Sequence, residues 1–287
     1  MKKYVIFSAS TAALTIEYIE EHEIVNIPLY YNMGGVLYGG DIDLSVKDFY
    51  DRMRGGEMPT TTASNPAYIL SKYREYIAKG YDILHISFSS ALSGSCNNAF
   101  VTARELSDSN PEAKVIVIDS LSASLGEGLM VYKAVELKEE GKTIDEVVQY
   151  IEDNKLHFCH QFTVEDLNHL YRGGRVSKAT AVLGTMISIK PILHVDDEGR
   201  LVPIGKVRGR KKSLVTLVDN MEKAMNGYDN DVVMISHGDS IEDANYVASL
   251  IKERFGIENI IINPVSPTIG THSGPGTIAL FFMGETR

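Results

Sequence analysis

Cysteine is nearly absent: only Cys96 and Cys159 occur in 287 residues. They stand far apart in no CxxC pattern, which argues against a disulfide framework or a zinc site and for buried thiols in a reducing compartment. Positive charge is short as well. Lys and Arg number 28 against 38 Asp and Glu, a net charge of −10, so nucleic acid and anionic membranes are disfavoured as main partners. No stretch approaches the roughly 20 apolar residues that cross a bilayer. The opening MKKYVIFSAS has two lysines before an apolar run, but Ser8, Ser10 and Thr11 interrupt it and a charged amphipathic segment, Tyr18 to Glu23, follows. A first strand turning into a capped helix is expected there rather than a secretion signal, and the cytoplasm is the expected location.

What is present points to ordinary globular cores. The apolar fraction is 44%, and 9 Pro with 24 Gly argue against disorder. At roughly 150 residues per domain the length predicts two domains. Short apolar runs alternate with helical periods through the first half. Strands are predicted at Tyr4–Phe7, Glu23–Leu29, Ile83–Phe88 and Val115–Ile118, with helices at Leu70–Ala78, Ala99–Leu106, Leu129–Glu139 and Val147–Glu152. Such alternation implies a mainly parallel sheet covered on both faces.

The pattern changes near 150–160, which divides the chain into residues 1–155 and 156–287. In ISIKPILHVDDEGRLVPIGKVR two strands flank an acidic turn ending in Gly199, the mark of an antiparallel hairpin. A helix at Ser213–Met225, a strand at Val232–Ile235, a helix at Glu242–Phe255 and strands at Ile260–Ile262 and Ile278–Phe282 complete a second α/β half with a mixed sheet.

Ligands of open α/β sheets bind beyond the carboxyl ends of strands, often at a helix start. The stretch HISFSSALSGSCNNAF, 85–100, puts Ser87, Ser89, Ser90, Ser93, Ser95 and Gly94 at such a place. One cap needs one serine, so the excess points to an anion cradle at Ser93 and Gly94. Thr60, Thr61, Thr62 and Ser64 form a second hydroxyl cluster before a helix opening at Pro66, with Asn65 or Ser64 as its cap. In IGTHSGPGTIALFF, 269–282, His272 sits between Thr271 and Ser273 in a predicted glycine-rich loop, where backbone can approach a ligand closely. YRGGRVSKATAVLG, 171–184, has Arg172 and Arg175 around two glycines before an apparent helix. Lys206, Arg208, Arg210, Lys211 and Lys212 form a basic island in an acidic chain, pointing to an anionic ligand or partner.

The usual signatures of nucleotide hydrolysis, zinc proteolysis and α/β-hydrolases are missing: GxxxxGK[ST], HExxH, GxSxG and a complete GxGxxG do not occur. His157, Cys159 and His160 in HFCH lie in a predicted strand without matching distal ligands, so no metal is expected.

Taken in order, MPTTTASNP, SFSSALSGSCNNA, VIDSLSASLGEGL, YRGGRVSKATAVLG, the 189–214 segment and IGTHSGPG resemble the DegV family of bacterial fatty-acid-binding proteins, which includes the lipid-carrying subunit of fatty acid kinase. The resemblance covers nearly the whole chain. It implies a two-domain α/β protein with a ligand tunnel at the domain interface, holding one long-chain fatty acid and needing no other cofactor. It further implies that Ser93 and Thr61 bind the carboxylate, with Gly94, Thr62 and Thr271 beside them. His272 would orient that network, and Arg172 or Arg175 would lie near the entrance. Arg208, Arg210, Lys211 and Lys212 become the docking surface for the kinase's catalytic subunit, which phosphorylates the presented acid to an acyl phosphate and feeds phospholipid metabolism. The chain itself would not be the catalyst, and any membrane contact would be transient. Two departures stand out: Ala9 and Ala13 replace expected aspartates, and TTASN replaces the family's TSQPS. The competing readings are a hydrolase of acyl esters or acyl phosphates, with Ser93 as nucleophile and His272 as base, and a pure interaction protein.

Overall fold

The computed structural model describes residues 2–178, 188–285 and 287. The first half contributes strands β1 (Tyr4–Ala9), β2 (Val25–Ile27), β3 (Tyr30–Met33), β4 (Val36–Tyr38), β5 (Thr60–Thr62), β6 (Asp82–Ser87) and β7 (Val115–Asp119). Its helices are α1 (Ile16–Glu21), α2 (Val46–Arg54), α3 (Pro66–Ala78), α4 (Ser95–Ser109), α5 (Leu125–Glu139) and α6 (Ile144–Asn154). The second half adds β8 (Phe158–Thr163), β9 (Ile189–Val195), β10 (Leu201–Arg208), β11 (Val233–His237), β12 (Ile260–Pro264) and β13 (Ile278–Met283). Between them run α7 (Leu167–Arg172), α8 (Arg210–Met225), α9 (Ile241–Phe255) and α10 (Pro267–Ser273).

The protein is α/β, with one parallel and one mixed sheet. Four strands in the order β2-β1-β6-β7 are all parallel, and every residue of β1 and β6 is buried, as expected of strands covered on both faces. Six strands in the order β10-β9-β8-β13-β11-β12 form the second sheet, antiparallel except for the β11–β12 pair. Helix α5 is apolar nearly all round and packs on strands of both sheets, so one core cluster runs from Ile6 and Leu84 through Leu129 to Phe158 and Phe281.

Several helices begin earlier than the apolar period predicts. Helix α3 starts at Pro66, with the Asn65 side chain accepting from the Ala67 N–H. Helix α6 starts at Ile144 behind a capping box of Thr143 and Glu146. First turns are polar because they meet water and caps, so periodicity marks only the buried stretch.

The sequence reading missed a small antiparallel sheet, β4-β3-β5. Tyr31 pairs across with Thr61, and Tyr30 with Thr62. Gly34 and Gly35, both at positive φ (61° and 82°), turn β3 into β4, so the two-glycine turn between apolar runs was the available signal. The threonines therefore form a strand, where β-branched residues fit well. The segment around His272 is corrected too: it is the short helix α10, opened by Pro267 at its first turn, and only its exit at Gly274 is glycine-governed. The helix predicted after Arg175 falls largely on 179–187, outside the described residues.

Candidate functional site

Strand order reverses direction between β1 and β6: β2 lies on one side, β7 on the other. In a doubly wound sheet this is the switch point, where the loops leaving two neighbouring strands diverge and open a crevice. Thr11 follows β1, and Phe88, Leu92, Ser93 and Gly94 follow β6. All five line one cavity of about 520 Å³, a size common for small-molecule sites. Its remaining walls come from α2, β5, α7, α10, the six-stranded sheet and neighbouring loops, with apolar side chains such as Met53, Phe162, Leu201, Ile269 and Phe281 among them.

Thr61, Ser93 and His272 all line this cavity. Strand alternation turns Thr61 inward and leaves Thr60 and Thr62 exposed. The Thr61 Oγ1 lies 2.9 Å from Nε2 of His272. Burial, helped by the positive charge of Arg175, pushes the His272 pKa down to about 4, so the ring is neutral at physiological pH. Among the described residues its Nδ1 is buried without a partner, and it faces Gly173, where a Cβ would lie 2.0 Å away. Gly173 has ordinary right-handed dihedrals, so glycine is required there by proximity to the ring rather than by backbone strain.

Ser93 accepts from the Ser95 N–H at 3.2 Å and shares a 3.0 Å hydrogen bond with the Ser95 hydroxyl. Ser95 in turn accepts from the Ser64 N–H, and Asn98 Nδ2 donates to the Ser64 carbonyl. This ties the start of α4 to the loop after β5. Ser89 donates to the carbonyl of Gly199 in the β9–β10 turn, joining the two halves. Of the five serines between 87 and 95, only Ser93 lines the cavity, with Gly94 beside it; Ser89 and Ser95 brace the walls.

Thr62, Thr271 and Arg172 also line the cavity. Thr271 donates to the Pro267 carbonyl, and the exposed Arg172 reaches Nδ1 of His169 at 2.8 Å. Arg175 donates from Nε and Nη2 to the Leu92 carbonyl and from Nη1 to that of Gly173. It clamps the serine loop to the α7 exit. Its half-buried guanidinium forms part of the cavity wall, so this wall is not built of neutral donors alone.

The sequence reading passed over Glu127. It lies fully buried in α5 and accepts from Thr11 Oγ1 at 2.7 Å and Ser8 Oγ at 3.4 Å. Burial raises its pKa to about 8 against the opposing hydrogen bonds from Thr11, Ala9 and Ser8. A carboxyl thus enters the turn where Ala9 stands, supplied from α5. Glu127 lies within a GEG triplet that reads as a loop, which concealed it.

The basic island divides. Arg210 is turned inward onto Asp243 at 2.7 Å, Glu165 at 3.3 Å and the Gly276 carbonyl. Arg208 and Lys212 are exposed, and Lys211 stands 5.4 Å above the Tyr246 ring. Cys159 and His160 alternate on β8 and meet opposite faces of the sheet. Among the described residues no three His, Cys, Asp or Glu side chains gather as metal ligands, and no helix is long and apolar enough to cross a membrane.

The family model described as "Uncharacterised protein, DegV family" matches residues 3–285. A DegV domain-containing protein of Clostridium perfringens is 40% identical over 289 residues, covering 100% of this chain and 99% of its own. Two solved structures are similar throughout. One is of the fatty acid binding of a DegV family protein from Thermus thermophilus (TM-score 0.88, 27% identity, 99% of this chain and 100% of that one). The other is DegV, a fatty acid binding protein from Bacillus subtilis (TM-score 0.86, 28% identity, 99% and 100%).

Proposed function

This chain belongs to the DegV family, and from that premise we propose that it binds one long-chain fatty acid and presents the carboxylate to a partner kinase. The observation that supports the reading is that Thr61, Ser93 and His272 line one cavity with many apolar side chains, and that Thr61 meets His272 there. The acyl chain would run from there into a tunnel between residues 1–155 and 156–287.

A fatty acid needs both surfaces. Each buried methylene contributes roughly 0.8 kcal/mol, so about fourteen give on the order of 11 kcal/mol gross. Association and ordering cost about 4–15 kcal/mol. The tail then provides the affinity, and the polar end sets direction. A carboxylate buried without partners would be heavily penalised, and hydrogen bonds to a charge contribute about 1.5–3 kcal/mol each.

The neutral His272 ring fits this role. With its proton on Nε2 it donates to Thr61 Oγ1, leaving the threonine hydrogen free for the carboxylate. The other tautomer would strand a buried N–H against Gly173 and consume that hydrogen. Ser93 accepts from the Ser95 N–H, and with the Ser95 hydroxyl as donor in their shared bond it keeps its own proton for the carboxylate. The partner kinase would transfer a phosphoryl group to a carboxylate oxygen, giving the acyl phosphate, with Arg208, Lys211 and Lys212 as the outward docking charges. Arg172 and Arg175 would flank the entrance.

The hydrolase reading requires Ser93 to bond His272. Nε2 instead meets Thr61, and the Ser93 hydroxyl pairs with Ser95. Esterase activity lost in Ser93→Ala would restore that reading. Titration with a fluorescent long-chain fatty acid tests the proposal: one saturable site per chain, displaced by oleic acid, is expected. No saturable binding would overturn it.

A further inference from the structure

The cavity wall holds another imidazole, to which the reading above gives no task. His169, on α7, lines the cavity and is half-buried. It and His272 are seated reciprocally. A Cβ on Gly173, at the end of α7, would lie 2.0 Å from Nδ1 of His272, and a Cβ on Gly274, at the end of α10, would lie 2.5 Å from Cδ2 of His169. Each ring rests on the glycine that closes the other's helix, so the two are neighbours where α7 packs on α10.

The ring's hydrogen bonding fixes which nitrogen carries the proton. Arg172, three residues on along α7, approaches Nδ1 from Nη2 at 2.8 Å. A guanidinium has only donors, so Nδ1 accepts and the proton of the neutral ring sits on Nε2. Burial and the charge of Arg172 hold the pKa of His169 below the ordinary histidine value, against the opposing charge of Asp166, which keeps the ring neutral at physiological pH. Nε2 itself is open. No described residue bonds it, and unlike Nδ1 of His272 it is not closed to water.

We propose that His169 is a further ligand of the bound acid's carboxylate, donating from Nε2, with Arg172 as the positioning residue that sets the tautomer. This rests on the fatty-acid reading above and extends its head-group site. A carboxylate has two oxygens with about four acceptor positions, and Thr61 and Ser93 supply two protons, so a third donor has a place. The charge of Arg172 on the far side of the ring polarises the Nε2–H towards an anion. An imidazole that only filled the wall would serve an acyl chain with any head group equally well.

Octadecanoic acid and octadecan-1-ol, each competed against a fluorescent long-chain fatty acid, separate these roles. His169→Leu should bind the acid about tenfold more weakly than wild type. It should lose clearly less for the alcohol, because a neutral acceptor makes the weaker bond. Glutamine keeps a side-chain N–H donor, so His169→Gln should recover most of the acid affinity. Nitrogen NMR of the histidine rings, with His169 assigned by its absence from His169→Leu, should show a protonated Nε2 and a bare Nδ1 in wild type, and mixed tautomers in Arg172→Met. Four results overturn the proposal while wild type still binds the acid: unchanged acid affinity in His169→Leu, equal losses for acid and alcohol, His169→Gln as weak as His169→Leu, or a proton on Nδ1 in wild type. If octadecanoic acid fails to bind wild type, the fatty-acid reading falls and this inference with it.

Discussion

Thr61 Oγ1 and His272 Nε2 meet at 2.9 Å across a sequence separation of 211 residues. Strand β5 delivers one, helix α10 the other, and nothing local to either segment requires the contact. Both residues line the cavity, so the pair gives its wall a fixed polar point.

Replacing either partner should weaken fatty-acid binding without unfolding the protein. Thr61→Ala and His272→Ala each remove one step of the relay to the carboxylate, about 1.5–3 kcal/mol, or roughly 10- to 150-fold in affinity. The double variant should lose less than the two single losses combined, because both substitutions break one unit. Competition titration of the four proteins measures this.

Gly173→Ala should imitate His272→Ala. The backbone accepts alanine, but the new methyl would lie 2.0 Å from Nδ1 and must displace the ring. A binding loss of about tenfold or more with an unchanged far-UV circular dichroism spectrum is expected. Wild-type affinity in this variant would show that the ring position is unimportant.

Stability should fall as pH rises through neutrality because of Glu127. Its folded pKa of about 8 lies above the unfolded value near 4.3. Between those values the native state holds the extra proton, and its stabilising effect is full below the unfolded pKa and lost as pH rises through 8. The slope is at most about 1.4 kcal/mol per pH unit for one proton. His272, with a folded pKa near 4, works in the opposite sense only below about 6.5. The buried thiols of Cys96 and Cys159, pushed up to about 12, add a decline of the same sign only as pH nears the free thiol value of about 8.5. The window from about pH 7 to 8 therefore reports mainly on Glu127. Urea unfolding across that range should show the decline in wild type and a flatter profile in Glu127→Gln.

Charge reversal at Arg208, Lys211 and Lys212 should lower kinase-dependent acyl phosphate formation and leave fatty-acid binding intact. Arg210→Ala should behave differently. It removes the contacts to Asp243, Glu165 and Gly276 and should destabilise the fold by about 0.5–3 kcal/mol. A kinase assay beside a melting curve separates the two effects.

Much of this architecture was legible because apolar runs mark buried strands directly. β1, β6 and β13 are each buried along their whole length, and their sequences read so. The hairpin of β9 and β10 was announced by its acidic turn. Harder to read were elements whose stability is tertiary. β5 is three threonines that become a strand only because β3 pairs with them, and α10 is a seven-residue helix among glycines. At the site, the residue types of Thr61, Ser93 and His272 stood out within their motifs. Glu127 did not, since its burial against Thr11 and Ser8 is a property of the folded chain.

The central claim is that this cavity holds an acyl chain by its polar end, and the contents of the purified protein test it most directly. Expressed in bacteria and purified without added lipid, it should yield close to one long-chain fatty acid per chain when its organic extract is quantified by mass spectrometry, and markedly less from Thr61→Ala. A wild-type extract with no acyl chain, from folded protein, would contradict the account.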